Sequence, residues 1–560
     1  MRKNNKPLIV CVLALVITLI LNQSNLSAAS HGKMRFGLVE EYEPQVETQA
    51  LIDVYNTEDS FLGLTIFTVF NVTKGIRNPS GSHLLFVNNT GKIVKERFYN
   101  GSRVFWDPHM FNETTIIMHN APDGFIALWN LETNTEYTIS AINGSLKGHH
   151  DAIYNPETDT FMTIGRETIE IEDATLEVDT IWEFDWNGDL MWEWSMADWR
   201  TTDWISIYQD TQCLISNHSR PNGILDYSHA NTIYWDPSTN ILYLNARNLD
   251  NVWAIEYPSG KVLWIAGRNG DFTMYDKHGV QKDSLWWHSH SFAPVPGEPN
   301  KFILFDNDLH NGTAEPVIPA AFEGPDFHTS NHSRIVEVEI DPETMIMRET
   351  WSWSAPPEYY SPIWGDADRL PNGNRLGCFG SRSFREGYHT PPPPFPEGGA
   401  ALIEVNEAGD IVWKLEFPTG YGVYRARRFQ PSLSLNSPTD LTCDQGVNDC
   451  PGIIWTGKSV FKNYYQITKD GELLVKDMWM TPKIGYELPS DLAVGTYEYT
   501  LTVFDLAGQS VSDTVKVTVK TPTTITVTVF EILVSPVGVL GVLVVGLTTV
   551  GLLAMFKRKK

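Results

Sequence analysis

Basic residues are scarce in this chain: its 560 residues hold 42 Lys and Arg against 68 Asp and Glu, a formal net charge of -26. Nucleic acid and anionic membrane surfaces need clustered cations, so neither is expected as a partner. Cysteine is scarce as well, with five in all. Cys11 falls in an N-terminal leader, Cys213 and Cys378 stand far apart, and Cys443 and Cys450 bracket a short loop. In an oxidising exterior those two are expected to pair as a disulfide, and no second pair completes a tetrahedral metal site. The metalloprotease signature His-Glu-x-x-His is missing, so no metal and no other cofactor is expected. One stretch, Gly452 to Ser459 (GIIWTGKS), matches a phosphate-binding loop by letter. Its Ile453, Ile454 and Trp455 read as strand, and no helix follows to complete such a loop.

Long uncharged apolar stretches lie near the two ends. A basic start, Met1 to Lys6, leads into an apolar run from Pro7 to Leu21 and a small-residue site near Ser27, Ala28 and Ala29. This is the anatomy of a secretory signal over 1–29. The run 532–556 is long enough to span a bilayer, and four cations, Lys557 to Lys560, follow it. The expected arrangement is a single-pass cell-membrane protein with its body outside and the basic tail 557–560 inside.

What the sequence has in quantity is the β-hairpin. Six times, alternating apolar and polar residues reach a tight turn and return rich in Trp, Phe and Val. The turns are Asn89-Thr90-Gly91, Glu132-Thr133-Asn134, Trp186-Asn187-Gly188, Pro258-Ser259-Gly260, Pro342-Glu343-Thr344 and Glu407-Ala408-Gly409. Each reads as the outer hairpin of one blade, and a blade buries both faces only by stacking on others around an axis. The chain is therefore expected to be all-β: a six-bladed β-propeller over 34–429, then a small immunoglobulin-like β-sandwich over 430–520, then a C-terminal transmembrane helix. The sandwich is read from period-two strands in GIIWTG, YYQITKDGELLVKDM, VGTYEYTLTVFD and DTVKVTVK. Less regular sequence from Met34 to Tyr99 leaves room for a closing strand borrowed from the far end.

Polar clusters precede several hairpins, where inner strands would begin and aim at a central channel. They are Gly148-His149-His150-Asp151, Ser228-His229-Ala230-Asn231, Trp287-His288-Ser289-His290-Ser291, Phe305-Asp306-Asn307 and Ser333-Arg334. Imidazoles and a guanidinium meeting there make a hydrogen-bond-donating pocket suited to a small anion. Binding of a metal by the same histidines with Asp151 is the competing reading, as His288 and His290 share one strand face.

Six passages, in order, resemble the PAPS-independent arylsulfotransferase family: HANTIYWDP, NARNLDNVWAIEYPSGKVLWIAGRNGDF, HSHSFAPVPGEPNKFILFDND, SRIVEVEIDPETM, GDADRLPNGNRL and VYRARRF. The resemblance covers roughly Gly148 to Phe429. It implies a propeller enzyme that moves a sulfuryl group from an aryl sulfate donor to a phenolic acceptor through a sulfated histidine. Carried onto this chain it implies His229, His290 and Arg334 as catalytic residues. His150, His288, Asn231 and Asn307 are then expected around the substrate. The sequence departs from the family at Ser289-His290-Ser291, where Gln-His-Asp is usual. After Arg334 it offers only His389 for the histidine that becomes sulfated in the enterobacterial type. Two other functions stay open at this point: a surface-anchored binding or adhesion propeller without catalysis, and a metal-dependent aryl-ester hydrolase.

Overall fold

The computed structural model describes residues 37–38, 53–71, 81–100, 104–120, 123–140, 147–171, 174–199, 224–308, 332–380, 382, 398–445 and 451–522. The expected leader 1–29, the anchor 532–556, the tail 557–560, Cys450 and His389 lie outside these residues. Among the described residues, no helix is long and apolar enough to cross a membrane.

The described chain is all-β, its helices limited to short 3-10 turns such as Met196–Trp199, Arg247–Leu249 and Pro357–Tyr359. All six expected hairpins form as antiparallel pairs, and in three of the sheets a further strand, Gly37–Leu38, Thr273–Tyr275 or Asp53–Asn56, pairs with the hairpin's outer edge. Six sheets of four or more strands result. Their innermost strands are Phe105–Met110, His149–Asn155, Ala230–Asp236, His290–Pro294, Asp366–Arg369 and Tyr421–Phe429. These six touch one another in a closed cycle, which makes the arrangement propeller-like. Tyr421–Phe429 closes it by pairing with Leu64–Asn71, so the last strand completes the first sheet.

Apolar side chains fill the gaps between sheets. Met162, Ile181 and Trp194 of one sheet pack on Leu242, Leu244 and Trp253 of the next. Burial of such surface contributes roughly 25 cal/mol per Å² and holds the stack together. Strands covered on both faces lose their alternation, as in Leu64–Asn71, which is buried at seven of eight positions.

A bulge opens five of the six inner strands. Register slips between Trp106 and His109, His149 and Ala152, Ala230 and Thr232, His290 and Phe292, and Val423 and Ala426. Positive φ accompanies the irregularity at Asp107 (46°), His150 (61°), His229 (45°) and His288 (55°). A bulge leaves a residue unpaired and re-aims its neighbours, here at the same level of successive sheets.

In the fifth sheet Trp364 and Gly365, with φ of 60° and 143°, turn the chain instead. A Cβ on Gly365 would lie 2.3 Å from Cδ1 of Phe305, a fully buried ring packed on Phe379. Gly365→Ala should therefore cost about 2 kcal/mol or more in urea unfolding. A loss below about 0.5 kcal/mol would mean that Phe305 gives way freely.

The second unit is two sheets packed face to face. One holds Ser434–Asn436, Ile453–Lys458 and Lys483–Tyr486. The other holds Leu441–Asp444, Lys462–Lys469, Glu472–Met478, Gly495–Asp505 and Ser510–Lys520. Trp455, Trp479 and Ile484 meet Leu501, Val515 and Val517 between them. The segment that mimics a phosphate loop is a strand of strictly alternating burial. Cys443 is disulfide-bonded. Phe461 and Ala507 join the apolar cluster of Phe86 and Trp129, so this unit is seated on the ring.

Candidate active site

The bulges bring three imidazoles around one tyrosine. His150 and His229 lie with ring centroids 4.9 Å apart, and Tyr424 is 5.9 Å from His150 and 6.2 Å from His290. Trp106 stacks on Tyr424 at 4.6 Å and lies 4.9 Å from His150. These residues come from the inner strands of five sheets or the turns just before them, so only the closed ring assembles the group.

Each of the three imidazoles is held from behind through Nδ1. Asn307 Nδ2 donates to the carbonyls of Ser361 and Trp364, both at 2.7 Å. Its Oδ1 therefore faces His290 Nδ1 at 2.7 Å and must accept, so the proton sits on Nδ1 and Nε2 keeps its lone pair. His290 Nε2 is buried with no hydrogen-bond partner among the described residues. Burial, reinforced by the charge of Arg247, holds His290 well below the ordinary histidine range, and the ring is neutral. His229 Nδ1 meets the Asp226 carboxylate at 2.5 Å, and a carboxylate can only accept. His150 Nδ1 lies 2.7 Å from Nδ1 of His149.

Two guanidinium groups neighbour the imidazoles. Arg247 is buried, its Nε donating to Asn248 Oδ1 at 3.1 Å, and its charge acts on His150, His290 and Tyr424 alike. Arg425 is fully buried; it pairs with Asp151 at 3.0 Å and Asp107 at 3.3 Å and donates to Asn231 O at 2.6 Å. Burial raises Asp151, while Arg425 opposes the shift.

The residues expected from sequence occupy distinct places. His150, His229 and His290 share the centre. Asn307 stands behind His290, with both its polar atoms engaged. Asn231 ties the third inner strand to the fourth, donating to Ser289 O at 2.8 Å and accepting from Asn245 at 2.8 Å. His288 is buried, its amide donating to Asp250. Arg334 pairs with Asp306 at 2.6 Å and Glu349 at 3.5 Å and donates to Leu285 O. Burial works against its charge, yet these carboxylates keep its pKa above the usual value.

Sequence reading missed Arg247, Tyr424, Arg425 and Trp106 as site residues. The signal was their register: Trp106 and Tyr424-Arg425 sit at bulges matching those after His149 and Ala230. Among the described residues no cluster of three or more His, Cys, Asp or Glu is arranged to hold a metal ion. A concavity of about 400 Å³ opens beside Trp287, with Arg268 and Lys282 in its wall, one residue before His288. Another of about 440 Å³, lined by Tyr234, Trp264 and Pro296, contains no histidine and lies apart from this chemistry.

A family model described as Arylsulfotransferase (ASST) matches residues 132–425, a little over half of the chain. No curated protein matches it. Among solved structures, the extracellular domain of a one-component system from B. thetaiotaomicron is 10% identical, covering 84% of this chain and 60% of that one, with a TM-score of 0.30. This chain thus spans 60% of that relative's length. A virginiamycin B lyase from Staphylococcus aureus is 11% identical, covering 65% of this chain and 99% of that one, with a TM-score of 0.27. At such distances neither bears on function.

Proposed function

Because the chain belongs to the arylsulfotransferase family, we propose that it moves a sulfuryl group from an aryl sulfate ester to a phenol, with Nε2 of His290 as the atom that takes the group. One observation carries this reading: the tautomer of His290 is set by Asn307, and its unprotonated Nε2 is buried without a partner among the described residues. A neutral imidazole attacks without first losing a proton, and it divides one hard displacement into two easier ones. The donor's S–O bond breaks as the S–N bond forms, and the aryl oxygen leaves with the electron pair.

The group in transit spreads negative charge over three oxygens, as a phosphoryl group does. Arg247 and the indole N–H of Trp106, which has no hydrogen-bond partner among the described residues, are suited to receive it. His229 is suited to donate from Nε2, since Asp226 balances the charge of an imidazolium. Arg334 acts at one remove, by holding Asp306 next to Asn307. The concavity beside Trp287 offers space and an aromatic wall for an aryl ring. On the same reading the ring and an immunoglobulin-like stalk lie outside the cell, anchored through 532–556.

The test is release of nitrophenolate from 4-nitrophenyl sulfate with and without phenol. Faster release with phenol, together with phenyl sulfate as product, is the expected result. No release at all would favour a binding propeller, and release only on adding zinc or calcium would favour a metal-dependent hydrolase.

A further inference from the structure

Behind His150 lies a chain of polar groups that the attack by His290 does not use. His150 Nδ1 is 2.7 Å from His149 Nδ1, and His149 Nε2 is 3.1 Å from both Asp179 Oδ1 and Gly165 O. Gly165 O can only accept from His149, and so does Asp179 once ionised, so His149 Nε2 carries the proton and its Nδ1 accepts from His150. His150 is thereby left with its lone pair on Nε2. Asp179 is buried and also accepts from Ser228 Oγ and the amide of Ala230. The two histidines open the second inner strand, Asp179 lies on Ala174–Phe184 of the same sheet, and Ser228 precedes the third inner strand.

We infer that His149 and Asp179 form a proton path behind His150, and that His150 exchanges a proton through Nε2 with the aryl oxygen during transfer. The inference rests on the reading above that a sulfuryl group passes between aryl oxygens. When the acceptor attacks, its O–H bond breaks and the proton goes to His150 Nε2. The oxygen's electron pair forms the new O–S bond, and the S–N bond to His290 breaks with its pair returning to Nε2. The proton on His150 Nδ1 moves to His149 Nδ1, and that on His149 Nε2 moves to Asp179. Both imidazoles end neutral, and the carboxylate ends as a carboxylic acid. Running backwards, the path delivers a proton to a departing aryl oxygen that needs one.

Electrostatics favour a path over a proton resting on His150. Burial foremost, then His229, His149, Arg166 and Arg247, hold His150 well below the ordinary range, so an imidazolium there is costly. Burial pushes Asp179 up to about 7, with Asp226 raising it further while Ser228, the amide of Ala230 and Arg166 oppose. His119, on Thr115–Asn120, is another titratable neighbour of His149, and burial drives it down to about 3, so it stays neutral. Asp179 must be ionised to accept a proton. The acceptor step should therefore slow about tenfold per pH unit below about 7.

The experiment is rapid mixing of the full chain with 4-nitrophenyl sulfate, with and without phenol, across pH. Nitrophenolate leaves without needing a proton, so the initial burst reports the first half-reaction and the phenol-dependent phase reports the second. Asp179→Asn should slow the phenol-dependent phase at least about 30-fold more than the burst and remove its acid limb. Ser228→Ala, which deletes one donor to the carboxylate, should move that limb to higher pH. Equal slowing of both phases by Asp179→Asn, or a limb that Ser228→Ala leaves in place, overturns the path. Should Asp179→Asn not fold, the limb in Ser228→Ala decides. A parent chain with no burst and no phenol dependence overturns the transfer reading itself, a result distinguishable from loss of the path alone.

Discussion

His290→Ala is expected to lower sulfuryl transfer by roughly 10³-fold or more, because it removes the atom that forms the covalent intermediate. Both the burst from 4-nitrophenyl sulfate and the phenol-dependent phase should vanish together. The side chain is fully buried, so folding is checked by a thermal melt alongside the rates. Asn307→Leu provides the companion measurement. It keeps the bulk but frees His290 to hold its proton on either nitrogen, and an intermediate loss is expected. The mechanistic assignment fails if His290→Ala turns over within threefold of the parent, or if a trapped sulfuryl group maps to another histidine.

Arg425→Met is expected to destabilise the ring by about 3–5 kcal/mol, the cost of leaving buried carboxylates without their cation. Arg425 lies on the closing strand and reaches Asp107, Asp151 and Asn231, on the inner strands of three other sheets. It thus pins the ring's closing strand to three other inner strands. The expected readout is an earlier midpoint for the ring in urea. Lys458→Ala, which breaks a solvent-exposed pair with Glu113 across to the sandwich, should leave that midpoint where it is.

The pH dependence has a definite sign. Burial pushes Asp107 upward, but Arg427 and Arg425 outweigh it and hold the carboxylate below its usual range. Stability from that lowered pKa is present above the unfolded value and is lost as pH falls through the folded one. With Arg425 gone, Asp107 and Asp151 protonate more readily, so the deficit of Arg425→Met should narrow as pH falls toward about 4. A penalty under about 1 kcal/mol, or one that widens in acid, would show that the carboxylates find other partners.

Much of the scaffold was legible because its signals are local. Turn residues such as Asn89-Thr90-Gly91 and Pro258-Ser259-Gly260 lie between alternating runs and specify hairpins without reference to distant sequence. The alternation in Ile453–Lys458 likewise overrode a letter-perfect phosphate-loop motif. The histidine clusters were legible as a repeated context, but their division of labour was not. Asn231 and Asn307 read as contacts for a substrate, yet their amides are engaged by Ser289, Ser361 and Trp364. Arg334 read as a donor to the reacting group, yet it is paired with Asp306. Arg247 and Tyr424 stood inside two of the passages that carry the family resemblance, NARNLD and VYRARRF, but nothing in those letters marked them for the axis.

By itself, then, the sequence determined the strands, the turns and the division into a ring and a sandwich, since period-two burial and turn chemistry act over a few residues. The tertiary structure alone decided which polar side chains meet at the axis and which ring nitrogen of His290 keeps its lone pair. Arg425 and Asp151 are 274 residues apart along the chain and 3.0 Å apart in space. Such contacts follow from ring closure and from bulges repeated at one level of the inner strands, and no short stretch of sequence encodes either.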